Sequence, residues 1–142
     1  RSIMALVGGG GAGNVAGSNP AGVGTSLNYI GDHAYGYSGV IGATSSGTTY
    51  LDFTTGREYI VGTVQCNYTL NQAEDMTYEI KMDGQVVQKW INAGATGVSN
   101  AGFEPQNPQQ IIIPPYTRVE IVITSASTTR DQVASLVGRV YA

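Results

Sequence analysis

The residues that invite a chemical reading lie near the N-terminus. Gly11-Ala12-Gly13-Asn14-Val15-Ala16 follows the apolar run Ile3-Met4-Ala5-Leu6-Val7 and fits the G-x-G-x-x-A dinucleotide fingerprint. Asp32 stands about twenty residues further on, the separation at which a ribose-binding acid is found. That chemistry needs a helix starting in the glycine turn, because its N-terminus holds the pyrophosphate. Gly17-Ser18-Asn19-Pro20-Ala21-Gly22 does not propagate a helix, and no strand–helix–strand pattern follows. There is no G-K-[ST] phosphate loop either. No cofactor is expected.

The remaining reactive groups are scattered. His33, the single histidine, adjoins Asp32, but nothing resembles a nucleophile elbow, and a surface turn residue is the plainer reading. The single cysteine, Cys66, lies in an apolar run and reads as a small buried hydrophobe. One Cys and one His exclude an internal disulfide and a zinc site. Asn67-Tyr68-Thr69 is a glycosylation sequon. Glu74, Asp75 and Asp83 match no calcium-loop spacing. Glu58 and Glu79 are the residue types that glycoside hydrolysis pairs, but nothing in the sequence places them across a cleft. The chain does not read as an enzyme.

The tyrosines suggest contact rather than catalysis. Tyr29, Tyr35, Tyr37 and Tyr50 cluster among glycines. Exposed tyrosine offers rigid area with a polar tip, suited to protein interfaces and to stacking on sugar rings. Half-buried strand residues whose hydroxyls reach water are the alternative. Tyr35, Tyr37 and Tyr50, with Phe103 in the Asn92–Pro108 loop, are the partner-contact residues expected in the body.

Behind these residues stand elements that must position them. The chain has 142 residues, enough for one domain, and 42% are apolar, enough for a core. Only 12% are charged, against roughly 25% in ordinary soluble domains. Such a surface, rich in Thr, Ser, Asn, Gln, Gly and Tyr, suits a protein packed against others, a bias shared by adhesins and sugar-binding modules. Seven basic against ten acidic residues, net −3, argues against nucleic acid as a partner. No apolar run approaches the roughly 18–20 residues that span a bilayer, so no membrane partner is expected.

Two regions follow. Residues 1–30 read as a glycine-rich extended arm, with eight glycines between Gly8 and Gly24 and too few large side chains to offset their own ordering entropy. No Lys or Arg occurs from Ser2 to Gly56, so the arm cannot neutralise RNA phosphates. Residues 31–142 read as an all-β body, an antiparallel jelly-roll-like β-sandwich of about eight strands. The strands expected are Tyr35–Ile41, Thr48–Phe53, Glu58–Tyr68, Met76–Met82, Gln85–Ile91, Gln110–Ile113, Thr117–Thr124 and Gln132–Tyr141. Met76, Tyr78, Ile80 and Met82 alternate with polar residues, and Asp83-Gly84 is the tight turn to the return strand. The last strand is apolar on both faces, as for a central strand or one covered by a neighbouring subunit. Helix is confined to a single possible turn at Asn71–Asp75.

Four stretches carry a resemblance. Met4-Ala5-Leu6-Val7 with its glycine run, Leu51-Asp52-Phe53-Thr54-Thr55-Gly56, Ile113-Pro114-Pro115-Tyr116-Thr117-Arg118-Val119 and Val137-Gly138-Arg139-Val140-Tyr141 resemble small virion proteins of tailed, particularly marine, bacteriophages. The resemblance is to capsid decoration (cement) proteins. It implies a compact β-sandwich, often trimeric, on the capsid surface, with the major capsid protein and copies of itself as partners and no catalytic residues. In that setting Leu6 and Val7 are expected to anchor the arm, and Gly8, Gly9, Gly10 and Gly11 to let its backbone approach a partner closely. A receptor-binding fibre-tip knob with a glycan ligand, a carbohydrate-binding module and a true capsid subunit stay open as alternatives; the uncharged arm weighs against the last.

Overall fold

The computed structural model describes residues 26–69, 75–92, 103–126 and 129–142. Among the described residues there are eleven strands: β1 (Asn28–Ile30), β2 (His33–Tyr37), β3 (Ile41–Ala43), β4 (Thr48–Thr54), β5 (Tyr59–Thr69), β6 (Met76–Met82), β7 (Gln85–Asn92), β8 (Phe103–Pro105), β9 (Gln109–Ile113), β10 (Arg118–Ser125) and β11 (Arg130–Tyr141). They form two antiparallel sheets. One has seven strands in the order β1-β2-β11-β5-β8, with β3 on β11 and β9 on β5; the other has four, β4-β10-β6-β7. This is the all-β sandwich that the alternating pattern predicts.

The core lies between the sheets and follows the two-residue period of each strand. Ile60, Val64 and Cys66 of β5, with Ala134, Leu136 and Val140 of β11, are buried on one side. Met76, Tyr78 and Ile80 of β6, with Val119, Ile121 and Ile123 of β10, are buried on the other. The Tyr78 hydroxyl donates to Gln132 Oε1 at 2.7 Å, tying β6 to β11 through the core. In the middle of the larger sheet Gly62 is paired with Gly138. β11 is the central strand, between β5 on one side and β2 and β3 on the other, in agreement with its two apolar faces.

The turns have local causes. Asp83 (φ 52°) and Gly84 (φ 83°) both adopt the left-handed conformation that a tight β6–β7 hairpin needs. Asp83 is then fixed to β10, its N–H donating to the Arg118 carbonyl at 2.8 Å and its Oδ1 accepting from the Arg118 N–H at 2.9 Å. Pro114-Pro115 ends β9, and buried Thr55 receives the reversal: its hydroxyl donates to the Pro114 carbonyl at 2.7 Å and accepts from the Thr117 N–H at 2.9 Å.

Three features depart from the expected outline. The run Tyr35–Ile41 is two strands, because Ser38 and Gly39 (φ 74°) break it. At the break Ser38 Oγ accepts from the Ala134 N–H and the Ser38 N–H donates to the Ala134 carbonyl, both at 3.0 Å, before β3 takes over the pairing with β11. The boundary expected at residue 30 falls inside the β1–β2 hairpin; Leu27 and Asn28, assigned to the arm, are buried in the body. The Asn92–Pro108 stretch contains a strand, β8, paired with the end of β5. Residues 71–74 of the expected helical turn lie outside the described residues.

Candidate functional site

Alternation that buries one face of the larger sheet turns the other face outward. Register places these outward residues in rows. Tyr141 of β11 lies opposite Tyr59 of β5, with ring centroids 5.3 Å apart and planes 18° apart. Val137 lies opposite Tyr35 of β2 and Thr63 of β5; Val61 of β5 lies opposite Ile112 of β9. Ile112 is 64% exposed and Val137 47%, and Tyr37, Tyr59, Val61 and Tyr141 are also exposed. Arg139 sits in the same face, 3.8 Å from Asp32. An outward surface of aromatic and branched side chains results, with the Arg139–Asp32 pair and His33 set among them.

Of the tyrosines expected to meet partners, Tyr35 and Tyr37 are on this face, with ring centroids 5.7 Å apart. Tyr50 is not. It is fully buried, and its hydroxyl donates to the Ile41 carbonyl at 2.6 Å. The cause is a bulge: β10 pairs Ile121 with Leu51 but the next residue, Val122, with Thr49, so Tyr50 is the extra residue and turns inward beside Leu51. Burial raises its hydroxyl's pKa far above the ordinary phenol range, so it serves the core. Phe103 pairs with Thr69 through β8; its side chain lies outside the described residues, as do Leu6, Val7, Gly8, Gly9, Gly10 and Gly11. Tyr59, Val61, Ile112, Val137 and Tyr141 share this outward face, and the clustering of early tyrosines in the sequence does not point to them. The signal for them was the apolar outer face of the last strand.

A second feature lies at the open edge of the sandwich. β7 and β9 are neighbours there, and a groove of about 500 Å³ is lined by Val61, Met82, Val87, Gln88, Gln110 and Ile112, among others. Gln88 Nε2 reaches the Gln110 carbonyl at 3.4 Å, while Gln88 Oε1 is buried with no hydrogen-bond partner.

The groups considered for chemistry are dispersed. His33 is exposed, opposite Arg139. Burial pushes the Cys66 thiol up to about 12, so it stays protonated near neutral pH. Glu58 is buried just before β5 and paired with Arg57 at 3.2 Å, whereas Glu79 is on the other sheet, 3.8 Å from Lys89. They do not face each other across a cleft. Among the described residues no three His, Cys, Asp or Glu side chains come together as a metal site.

No protein-family model matches the chain, and no curated protein matches it. Among solved structures it is similar to the crystal structure of the infectious bursal disease virus VP2 subviral particle, at 13% identity and TM-score 0.44 over 82% of this chain. It is also similar to a structure of the Gx strain of the same virus, at 13% identity and TM-score 0.42 over 80% of this chain. The chain spans about a third of the length of those structures' chains, 34% and 33%.

Proposed function

We propose that this chain is a structural protein of a virus particle, a decoration or cement protein that lies on the capsid surface and braces the shell through contacts with the major capsid protein and with copies of itself. The observation that carries the reading is the outer face of the seven-stranded sheet. Val61, Ile112, Val137 and the Tyr59–Tyr141 pair are exposed there, in a chain with 12% charged residues. An outward sheet face rich in aromatic and branched side chains suits simultaneous, individually weak contacts, which act multivalently around a symmetry axis. The resemblance of the four sequence stretches to phage decoration proteins supports the particle as its location.

The test is occupancy on stripped shells. The purified chain is expected to bind shells saturably, and Val137→Glu to lower occupancy at least tenfold while circular dichroism stays unchanged. Equal occupancy by the variant, or no binding to any shell, refutes the reading. A second reading, a receptor-binding knob, draws on the same tyrosines as sugar-stacking surfaces. It predicts saturable binding to a host polysaccharide, lost on Tyr59→Ala.

A further inference from the structure

We propose that the groove between β7 and β9 receives residues Ile3–Val7 of a neighbouring copy of this chain, added as a strand along the outer edge of β9. Among the described residues β9 pairs with β5 alone, so its other edge has no strand partner, although the Gln110 carbonyl accepts from Gln88 Nε2 at 3.4 Å, a bond an incoming strand must replace. Open edges are usually protected by charge, proline or a bulge. β9 reads Gln109-Gln110-Ile111-Ile112-Ile113 and has none of these within it, the prolines Pro108 and Pro114 lying just beyond its two ends. The edge is therefore suited to strand addition, with main-chain hydrogen bonds supplying affinity and alternate side chains supplying fit.

The occupant follows from the chain itself. β9 is five residues long, and Ile3-Met4-Ala5-Leu6-Val7 is a five-residue apolar run without charge. Its alternate side chains, Ile3, Ala5 and Val7 against Met4 and Leu6, can meet Ile112 on one side and Val87 and Met82 on the other. Residues 2–25 carry no charge, nor do the groove-lining residues, so docking buries no unpaired ion. Gln88 Oε1, buried without a donor, gains one if an incoming backbone N–H reaches it.

The choice of a neighbour's segment rests on position. The body begins at β1, at the edge of the sheet opposite β9, about 20 Å away across the strands. Residues 8–25 reach up to about 60 Å at roughly 3.3 Å per residue. When copies stand side by side, the β1 edge of one faces the β9 edge of the next. The path is then short, whereas reaching its own groove takes the segment back across the face that the proposed function commits to contact. Such a head-to-tail contact closes into rings when the rotation allows. The inference rests on the proposed function in two respects: copies of the chain meet, and the outer face of the larger sheet is taken up by a partner.

Cysteine trapping between full-length chains tests it without any shell. One preparation carries Met4→Cys and the other Ile112→Cys, or Val87→Cys as a second acceptor; all three acceptor and control positions used are exposed. Native Cys66 is buried and contributes little background. On mild oxidation the mixture is expected to give a disulfide-linked heterodimer at least tenfold above a control pairing Met4→Cys with Val40→Cys. Cross-linking at the control level overturns the proposal, as does a Met4→Cys/Ile112→Cys chain that closes only on itself. Because shell occupancy is measured separately with Val137→Glu, failure here and failure of the proposed function are distinguishable.

Discussion

Tyr78 and Gln132 hydrogen-bond across the interior of the sandwich, 2.7 Å from hydroxyl to side-chain carbonyl, with both side chains fully buried. One comes from each sheet, so the contact adds a directional tie between β6 and β11 to the apolar packing around it. Burial raises the Tyr78 hydroxyl's pKa far above the phenol range and keeps it a donor at every working pH. Tyr78→Phe is expected to cost about 1–3 kcal/mol, since it removes the donor but leaves the buried acceptor. Urea unfolding measures this, and a double-mutant cycle with Gln132→Met should return a coupling energy clearly above zero.

The facing glycines of the larger sheet predict a second effect. A Cβ at Gly138 lies 2.7 Å from the Val61 carbonyl oxygen and 2.8 Å from the Gly62 Cα. These obstacles are backbone atoms, so strands β5 and β11 must separate to admit it. Gly138→Ala is expected to destabilise by about 1–3 kcal/mol, in the range of overpacked cores. Equal midpoints for variant and parent in urea would show that the close approach is not tight.

Asp52 and Arg118 form a two-pronged ion pair, with distances of 3.0 and 2.8 Å, between neighbouring strands of the smaller sheet. The hydrogen bond from Arg118 holds the Asp52 carboxyl below its ordinary range. A carboxyl lowered in the folded state contributes stability that is present above its unfolded pKa, near 3.9, and lost as pH falls through the folded value. Stability is therefore expected to drop between pH 5 and pH 2 (approximate bounds set by those values) by more in the parent than in Asp52→Asn. The difference should be small and should shrink in salt, because the pair is exposed.

Cys66 offers a probe of opening. Its thiol, pushed up to about 12 by burial, is not expected to react with a thiol reagent at pH 8 (roughly half a unit below an ordinary free thiol) while the body is folded. Reaction should begin at the denaturant concentration where the sheets separate. Labelling well before that midpoint would mean that β5 opens locally.

Much of the sandwich is readable from alternation. The β6–β7 hairpin follows from Met76, Tyr78 and Ile80 with Asp83-Gly84, because each signal is local. What sequence could not place depends on long-range pairing. Tyr50 goes inward through a bulge defined by β10, and Tyr59 meets Tyr141 only because β5 and β11 share a register. Ser38 ends a strand by exchanging hydrogen bonds with Ala134, a partner 96 residues away. The outer face of the larger sheet was therefore half visible: its residue types stand in the sequence, but their assembly into one surface is a property of strand order.

Strand order has a further outcome, in time rather than space. β11 lies between β2 and β5 yet is the last of the eleven strands to be synthesised. Until it emerges, those two have no partner in the middle of their sheet, and the pairing that unites them closes long loops. The larger sheet is therefore complete only once β11 is free to pair, and a chain without that strand leaves the inner edges of β2 and β5 bare, the kind of exposed edge that invites association.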